Sequence, residues 1–271
     1  MRFFIWLLLA CLLAGCSDNP SEDQAAQAPP AQVTFTHATS HQEAVPGQTL
    51  QLLWRFDLAK DWHLYGPGRN DSGFPPSVRL DLPDGWSVGP LHWPAPERYL
   101  MAGGILDHVY HGQLLLVQDL FVPASAAVGS QEEIPVQVDW LACKDACVPG
   151  QAKTSLRLTV AEQTTPAAEL ETIARTLAAV PVPAPEGAPA VTWTEGWVEL
   201  EVAGATGLAF YPDQDCLALA DLVRDGEVDS GRLKLELGKA VEGQTRLKGI
   251  LRQSFPGGEI RHWTINIQPG G

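Results

Sequence analysis

The chain has 271 residues, 45% of them hydrophobic, and a formal net charge of −14 at pH 7. That length allows one large or two modest domains with cores of their own. The acidic balance, with no basic patch anywhere, argues against nucleic acid as a partner. Beyond the N-terminus no apolar run approaches the length of a membrane-spanning helix.

The first residues carry one positive charge, Arg2, and then a short apolar stretch ending in Leu13-Ala14-Gly15-Cys16. It is too short to span a bilayer and reads as an export signal over 1–15. Its end resembles the bacterial lipobox, which makes Cys16 the expected lipidated N-terminus of the mature chain. Ser17 at the next position, where Asp would retain the protein at the inner membrane, points to the outer membrane. Residues 16–32 are rich in Ala, Pro, Gln and acidic side chains and have nothing to bury, so a flexible tether is expected there.

Over 33–160 the pattern is β throughout. Leu50, Leu52, Trp54, Phe56 and Leu58 alternate with mostly polar neighbours, as do Val78, Leu80 and Leu82; Leu114 to Val117 is continuously apolar. Clusters such as Pro46-Gly47, Gly66-Pro67-Gly68 and Pro83-Asp84-Gly85 punctuate the series. Many short strands at this spacing predict an antiparallel sandwich. Over 161–189 a short amphipathic helix is expected, with Thr165 as N-cap, Pro166 as first helical residue and Leu170, Ile173, Ala174 and Leu177 on one face. A stiff connector with Pro181, Pro183, Pro185 and Pro189 follows. From 190 to 271 alternation returns, in Val198, Leu200 and Val202, then Leu233, Leu235 and Leu237, then Trp263, Ile265 and Ile267. The expected fold is all-β: two immunoglobulin-like antiparallel β-sandwich domains joined by a short helix and a Pro-rich linker.

Of five cysteines, Cys11 leaves with the signal and Cys16 is the anchor, which leaves Cys143, Cys147 and Cys216. Cys143 and Cys147 sit at the end of an alternating run in which Ile134, Val136, Val138 and Trp140 are apolar and Gln137 and Asp139 are not. That is the signature of a half-buried strand, and its phase puts Cys143 on the face of Gln137 and Asp139, towards solvent. Residues four apart on a straight strand are roughly 13 Å apart, whereas a disulfide needs Cα atoms about 4.4–6.8 Å apart. If the two bond, the chain turns between them, and Pro149-Gly150 suits a strand ending in a turn. Three readings of the pair stay open from spacing alone: a structural disulfide closing a short loop, a metal site, and a redox-active dithiol in which one sulfur attacks and the other resolves.

His108 and His111, three apart, fall on opposite faces of a strand and make a poor joint metal site. Cys216 reads as a buried small apolar residue, with a free reactive thiol as the alternative. No Ser/His/Asp order, paired-carboxylate motif or phosphate loop is recognisable, and no cofactor is expected.

Several blocks together carry a resemblance: Trp62-His63-Leu64-Tyr65-Gly66-Pro67-Gly68-Arg69-Asn70-Asp71-Ser72-Gly73-Phe74-Pro75, Leu82-Pro83-Asp84-Gly85-Trp86, Trp93-Pro94-Ala95-Pro96-Glu97-Arg98, and Trp140-Leu141-Ala142-Cys143 with Cys147-Val148-Pro149-Gly150. Over 33–160 they resemble the periplasmic N-terminal region of the DsbD and ScsB thiol:disulfide interchange proteins. The second half, with Phe210-Tyr211-Pro212 and Lys248-Gly249-Ile250-Leu251, is more weakly similar to the immunoglobulin-like domain that follows in the ScsB type. The resemblance implies that Cys143 and Cys147 are the redox pair, that His63, Tyr65 and Phe74 belong to a loop capping the thiols, and that thioredoxin-fold periplasmic oxidoreductases are partners. Family proteins continue into a membrane domain and a thioredoxin-like domain, neither of which this sequence carries. The expected electron donor is therefore a membrane protein acting in trans. A copper-stress or metal-binding lipoprotein, and a non-catalytic binding module with a structural disulfide, are the alternatives.

Overall fold

The computed structural model describes residues 32–269. The export signal expected at 1–15, the expected lipidation residue Cys16 and all of the expected tether except Gln32 lie outside the described residues. Among the described residues no helix is long and apolar enough to cross a membrane.

The first half forms two sheets. One has four strands in the order β1 (Val33–Thr39), β3 (Thr49–Leu58), β9 (Gln113–Phe121), β6 (Ser87–His92). The other runs β2 (Glu43–Ala44), β11 (Cys147–Val160), β10 (Gln131–Cys143), β4 (His63–Tyr65), β8 (Ile105–His111), β7 (Glu97–Met101), with β5 (Ser77–Leu80) also pairing β10. Pairing is antiparallel apart from the short β2–β11 contact. Between the sheets lies the larger apolar core, built on Leu50, Leu52, Trp54 and Phe56 of β3, Leu114, Leu116 and Leu120 of β9, and Ile134, Val136, Val138 and Ala142 of β10. These are the alternate positions that face inward on a period of two.

The continuous run at Leu114–Val117 has a specific cause. Helix α1 (Leu170–Ala178) lies on the outer face of this sheet, where Ile173 and Leu177 pack on Leu53, Leu115 and Val117. Strands covered on both faces lose their alternation. The helix begins at Leu170, with Glu169 at the N-cap and no side-chain cap, rather than at Thr165-Pro166. Pro166 instead makes a bridge to His41, and the Thr165 backbone N–H donates to Glu43, so that stretch is tied to the sheet edge and cannot open a helix.

The second half also has two sheets. One orders as β12 (Val182–Pro183), β19 (Ile260–Ile267), β18 (Leu247–Ser254), β15 (Gly207–Pro212), β16 (Glu227–Val228); the other as β13 (Ala190–Thr194), β14 (Trp197–Glu201), β17 (Arg232–Glu236). They enclose a separate cluster of Val198, Leu200, Leu208, Phe210, Leu233, Leu235, Leu247 and Leu251, with Cys216 inside it. A one-turn helix, α2 (Leu222–Asp225), is capped by the Asp221 carboxylate, which accepts from the Arg224 backbone N–H. The Pro-rich stretch contributes structure too: Val182–Pro183 pairs with β19 as an edge strand, and Ala184 packs on the second core.

The halves meet at the stretch between β4 and β5. The Arg69 backbone N–H donates to the Pro212 carbonyl at 2.9 Å, and its guanidinium to the Cys216 carbonyl at 2.7 Å and the Gln244 side chain at 3.4 Å. The Gln214 amide donates to the Gly68 carbonyl. On β7, Arg98 donates to the Leu222 and Val223 carbonyls of α2 at 2.9 and 3.0 Å, and the His108 ring packs at a tilt against that of Tyr211, 5.0 Å between centroids.

Candidate redox site

Strands β10 and β11 form a hairpin in register from Gln131↔Thr159 to Cys143↔Cys147, so the two cysteines face each other across its tip. They are joined by a disulfide, with Cα atoms 4.1 Å apart. The turn is Lys144-Asp145-Ala146, closed by the Lys144 backbone N–H donating to the Ala146 carbonyl. Pro149 and Gly150 lie inside β11, opposite Leu141 and Trp140, and not in a turn. Gly150 is there because the Trp140 indole occupies its side-chain space: a Cβ would stand 2.2 Å from the indole nitrogen.

The two sulfurs have unequal surroundings. Cys147 is exposed at the start of β11. Cys143 is only 3% exposed, contrary to the solvent-facing position that strand phase predicts. The phase itself is right, since Cys143 points away from the main core. That face is closed by a second small cluster, in which Cys143 packs with Tyr65, Val109, Tyr99 and Leu141. The cover comes from β4, β7 and β8, distant strands that alternation within β10 cannot reveal.

His63 is the residue paired with Cys143 on the adjacent strand β4, and it pairs with His111 of β8 on its other side. Its ring is 1% exposed and sits 5.1 Å from that of Tyr99, 5.3 Å from Tyr65 and 5.6 Å from His111. Burial, helped by the nearby His111, holds the His63 imidazole below its ordinary pKa, while Asp107 works the other way. Tyr65 places its hydroxyl 3.6 Å from the Cys147 sulfur and 3.1 Å from the Ser72 hydroxyl. Ser72 gives its own proton to Asp107 at 2.6 Å, so Tyr65 donates to Ser72 and turns lone pairs towards Cys147. Burial raises the Tyr65 pKa, which keeps the phenol protonated.

Between β4 and β5 the chain is latched over this region. Asp107, fully buried, accepts from the Asp71 and Ser72 backbone N–H groups at 2.8 and 3.0 Å as well as from the Ser72 hydroxyl. Asp71 accepts from the Leu106 N–H at 2.7 Å, and Asn70 from the His108 N–H at 2.7 Å. Gly73 lies flat on Tyr65, where a Cβ would meet the ring at 2.2 Å. Phe74 is 58% exposed and turned to solvent. The structure therefore brings His63 and Tyr65 to the disulfide and leaves Phe74 outward.

Sequence reasoning missed Asp107, Ser72 and Tyr99. The polar run Asn70-Asp71-Ser72-Gly73 signals a turn, but nothing local reveals that its backbone donors converge on a carboxylate in β8. Among the described residues no group of three or more His, Cys, Asp or Glu side chains is arranged to hold a metal ion. His108 faces Tyr211 while His111 faces His63 and bonds Glu97 at 3.2 Å. Cys216 is buried, and burial raises its thiol pKa.

Comparison with known proteins agrees with this geometry. Residues 31–159 match the family model for the N-terminal domain of the thiol:disulfide interchange protein DsbD. Over these residues the chain is similar to the DsbD N-terminal family. Among solved structures, the N-terminal periplasmic domain of ScsB from Proteus mirabilis aligns with a TM-score of 0.57 at 15% identity, covering 90% of this chain and 97% of that one. The likeness extends the shared fold over both halves. The reduced N-terminal domain of DsbD from Neisseria meningitidis aligns at 14% identity over 50% of this chain and 91% of its own, with a TM-score of 0.32. No curated protein matches the chain in sequence. The family match and the bonded cysteine pair at a hairpin tip together support a thiol:disulfide interchange module.

Proposed function

We propose that this module shuttles electrons through Cys143 and Cys147 between a membrane donor acting in trans and thioredoxin-fold oxidoreductases of the periplasm. The observation that carries the reading is the asymmetry of the pair: an exposed Cys147 bonded to a buried Cys143 at the tip of a hairpin. A partner thiolate reaches Cys147, the Cys143–Cys147 bond breaks with its electron pair on Cys143, and a mixed disulfide forms on Cys147. A second partner thiolate then releases reduced Cys147; in the opposite direction the resolving attack on Cys147 is made by Cys143.

Energetics suit this use. A loop this short constrains the unfolded chain by only about 2 kcal/mol, and the thirteen-residue β10 holds the hairpin without it. Equilibration of the full chain in glutathione or dithiothreitol buffers, read by alkylation and mass spectrometry, should show a bond reducible by a dithiol poised near about −270 mV. Melting temperatures of the two redox forms should lie close together, and Cys216→Ala should change neither result. A bond that resists reduction until the protein is denatured would make the disulfide structural and overturn the reading.

We further propose that the chain is exported, acylated at Cys16 and held facing the periplasm at the outer membrane. Leu13-Ala14-Gly15-Cys16 followed by Ser17 supports this. Cys16→Ala should move the protein from the membrane to the soluble fraction on cell fractionation. A wild-type protein recovered soluble with an unmodified N-terminus would overturn the anchor.

A further inference from the structure

His63 is buried, lies directly across from Cys143 in the β4–β10 pairing, and has no hydrogen-bond partner on either ring nitrogen. Buried polar groups are almost always partnered, and the rings packed around His63 are those of Tyr65, Tyr99 and His111. Cross-strand neighbours in a sheet have Cβ atoms about 4.5–5.5 Å apart. The residue opposite His63 is therefore the cysteine whose sulfur carries no proton while oxidised and acquires one when the disulfide opens.

We propose that His63 is the proton acceptor for the Cys143 thiol, a role that rests on the exchange reading above. In the resolving step, with Cys147 in a mixed disulfide, the Cys143 proton passes to a ring nitrogen of neutral His63. The Cys143 thiolate attacks the Cys147 sulfur, the Cys143–Cys147 bond forms, and the partner sulfur leaves with the electron pair of the bond to Cys147. The pair is oxidised by two electrons and the partner's disulfide is reduced by two. The proton on His63 returns to solvent.

A buried thiol needs such a partner. Around Cys143 the packing is apolar, which disfavours a free thiolate. Burial and His111 keep His63 neutral near pH 7, the form that accepts a proton. The groups facing His63 are Tyr65 on β4, Tyr99 on β7, Asp107 and His111 on β8, and Cys143 on β10; Glu97 reaches it only through His111. Lys144 and Asp61 pair with each other at the rim, 3.2 Å apart.

The test is thiol reaction with dithiobis(nitrobenzoate) under stopped flow, using the full reduced chain with Cys216→Ala in the background. Attack by Cys147 releases one thionitrobenzoate, and resolution by Cys143 releases the second. In His63→Gln the first release should be unchanged and the second about 100-fold slower at pH 7. That gap should narrow steadily as the pH is raised and hydroxide takes over the same work. A variant equal to wild type, or slowed equally at every pH as a merely structural residue would be, overturns the role. If His63→Gln does not fold, the imidazole resonances of the wild type decide: His63 should titrate differently in the oxidised and reduced forms, and identical titration overturns the role. A wild type that never releases the second equivalent removes the exchange reading itself, and the His63 role falls with it.

Discussion

Cys143→Ala should accumulate a mixed disulfide with a partner oxidoreductase, and Cys147→Ala should accumulate far less of it. In the first variant the remaining sulfur is the exposed one, so it can still engage a partner disulfide, and nothing resolves the product. In the second, Cys143 is the only candidate, and it lies beneath Tyr65 and Val109. Reaching it requires those side chains to move. If that local opening costs about 3 kcal/mol, engagement slows by about 100-fold at roughly 1.4 kcal/mol per decade. Non-reducing gels followed by mass spectrometry of the trapped species measure both variants and name the partner. Equal trapping by the two variants would mean that the burial difference does not control access.

The second large effect is expected at Asp107→Ala. This carboxylate is buried and accepts three hydrogen bonds from Asp71 and Ser72. Removing it leaves three donors without an acceptor, and each buried donor left unmade costs about 1–3 kcal/mol. Part of that loss is recovered as the stretch peels away to water, so a net destabilisation of about 3 kcal/mol is expected in denaturant unfolding. Amide exchange at 70–73 should rise far more than in the main core, and Tyr65 should lose the Ser72 partner that orients its hydroxyl. Asp107→Asn keeps one acceptor oxygen and should recover part of the stability. Unchanged stability and unchanged exchange at 70–73 would show that the latch is dispensable.

Much of this protein is legible in its sequence because strands with one wet face advertise themselves. Leu50 to Phe56 and Ile134 to Val138 alternate and occupy the core as expected. Where the sequence misleads, a distant element intervenes. The run Leu114–Val117 loses alternation because α1 covers the outer face, and Cys143 is buried because β4, β7 and β8 supply a roof. Pro149-Gly150 carries turn chemistry, yet the glycine serves to seat an indole across the hairpin. The shortest guanidinium contacts of Arg69 and Arg98 with the second half, to Cys216, Leu222 and Val223, are to main-chain carbonyls, which every residue possesses and no sequence pattern marks. The cysteine pair was legible as a pair; its inequality was not, since that depends on which strand lies above each sulfur.

The stretch over the site is pinned from two sides. Arg69 is tied to the second half at Pro212, Cys216 and Gln244, while Asp71 and Ser72 are tied to β8 two residues further on. A length of chain fixed at such close intervals has little freedom left to lose. The relief around Cys147 is thus moulded before any encounter, so docking spends little free energy on ordering this side of the contact. Such a rigid rim selects by shape: a partner whose own contour does not match meets a surface that will not adapt to it, and discrimination rests on steric mismatch as well as on the common chemistry of sulfur.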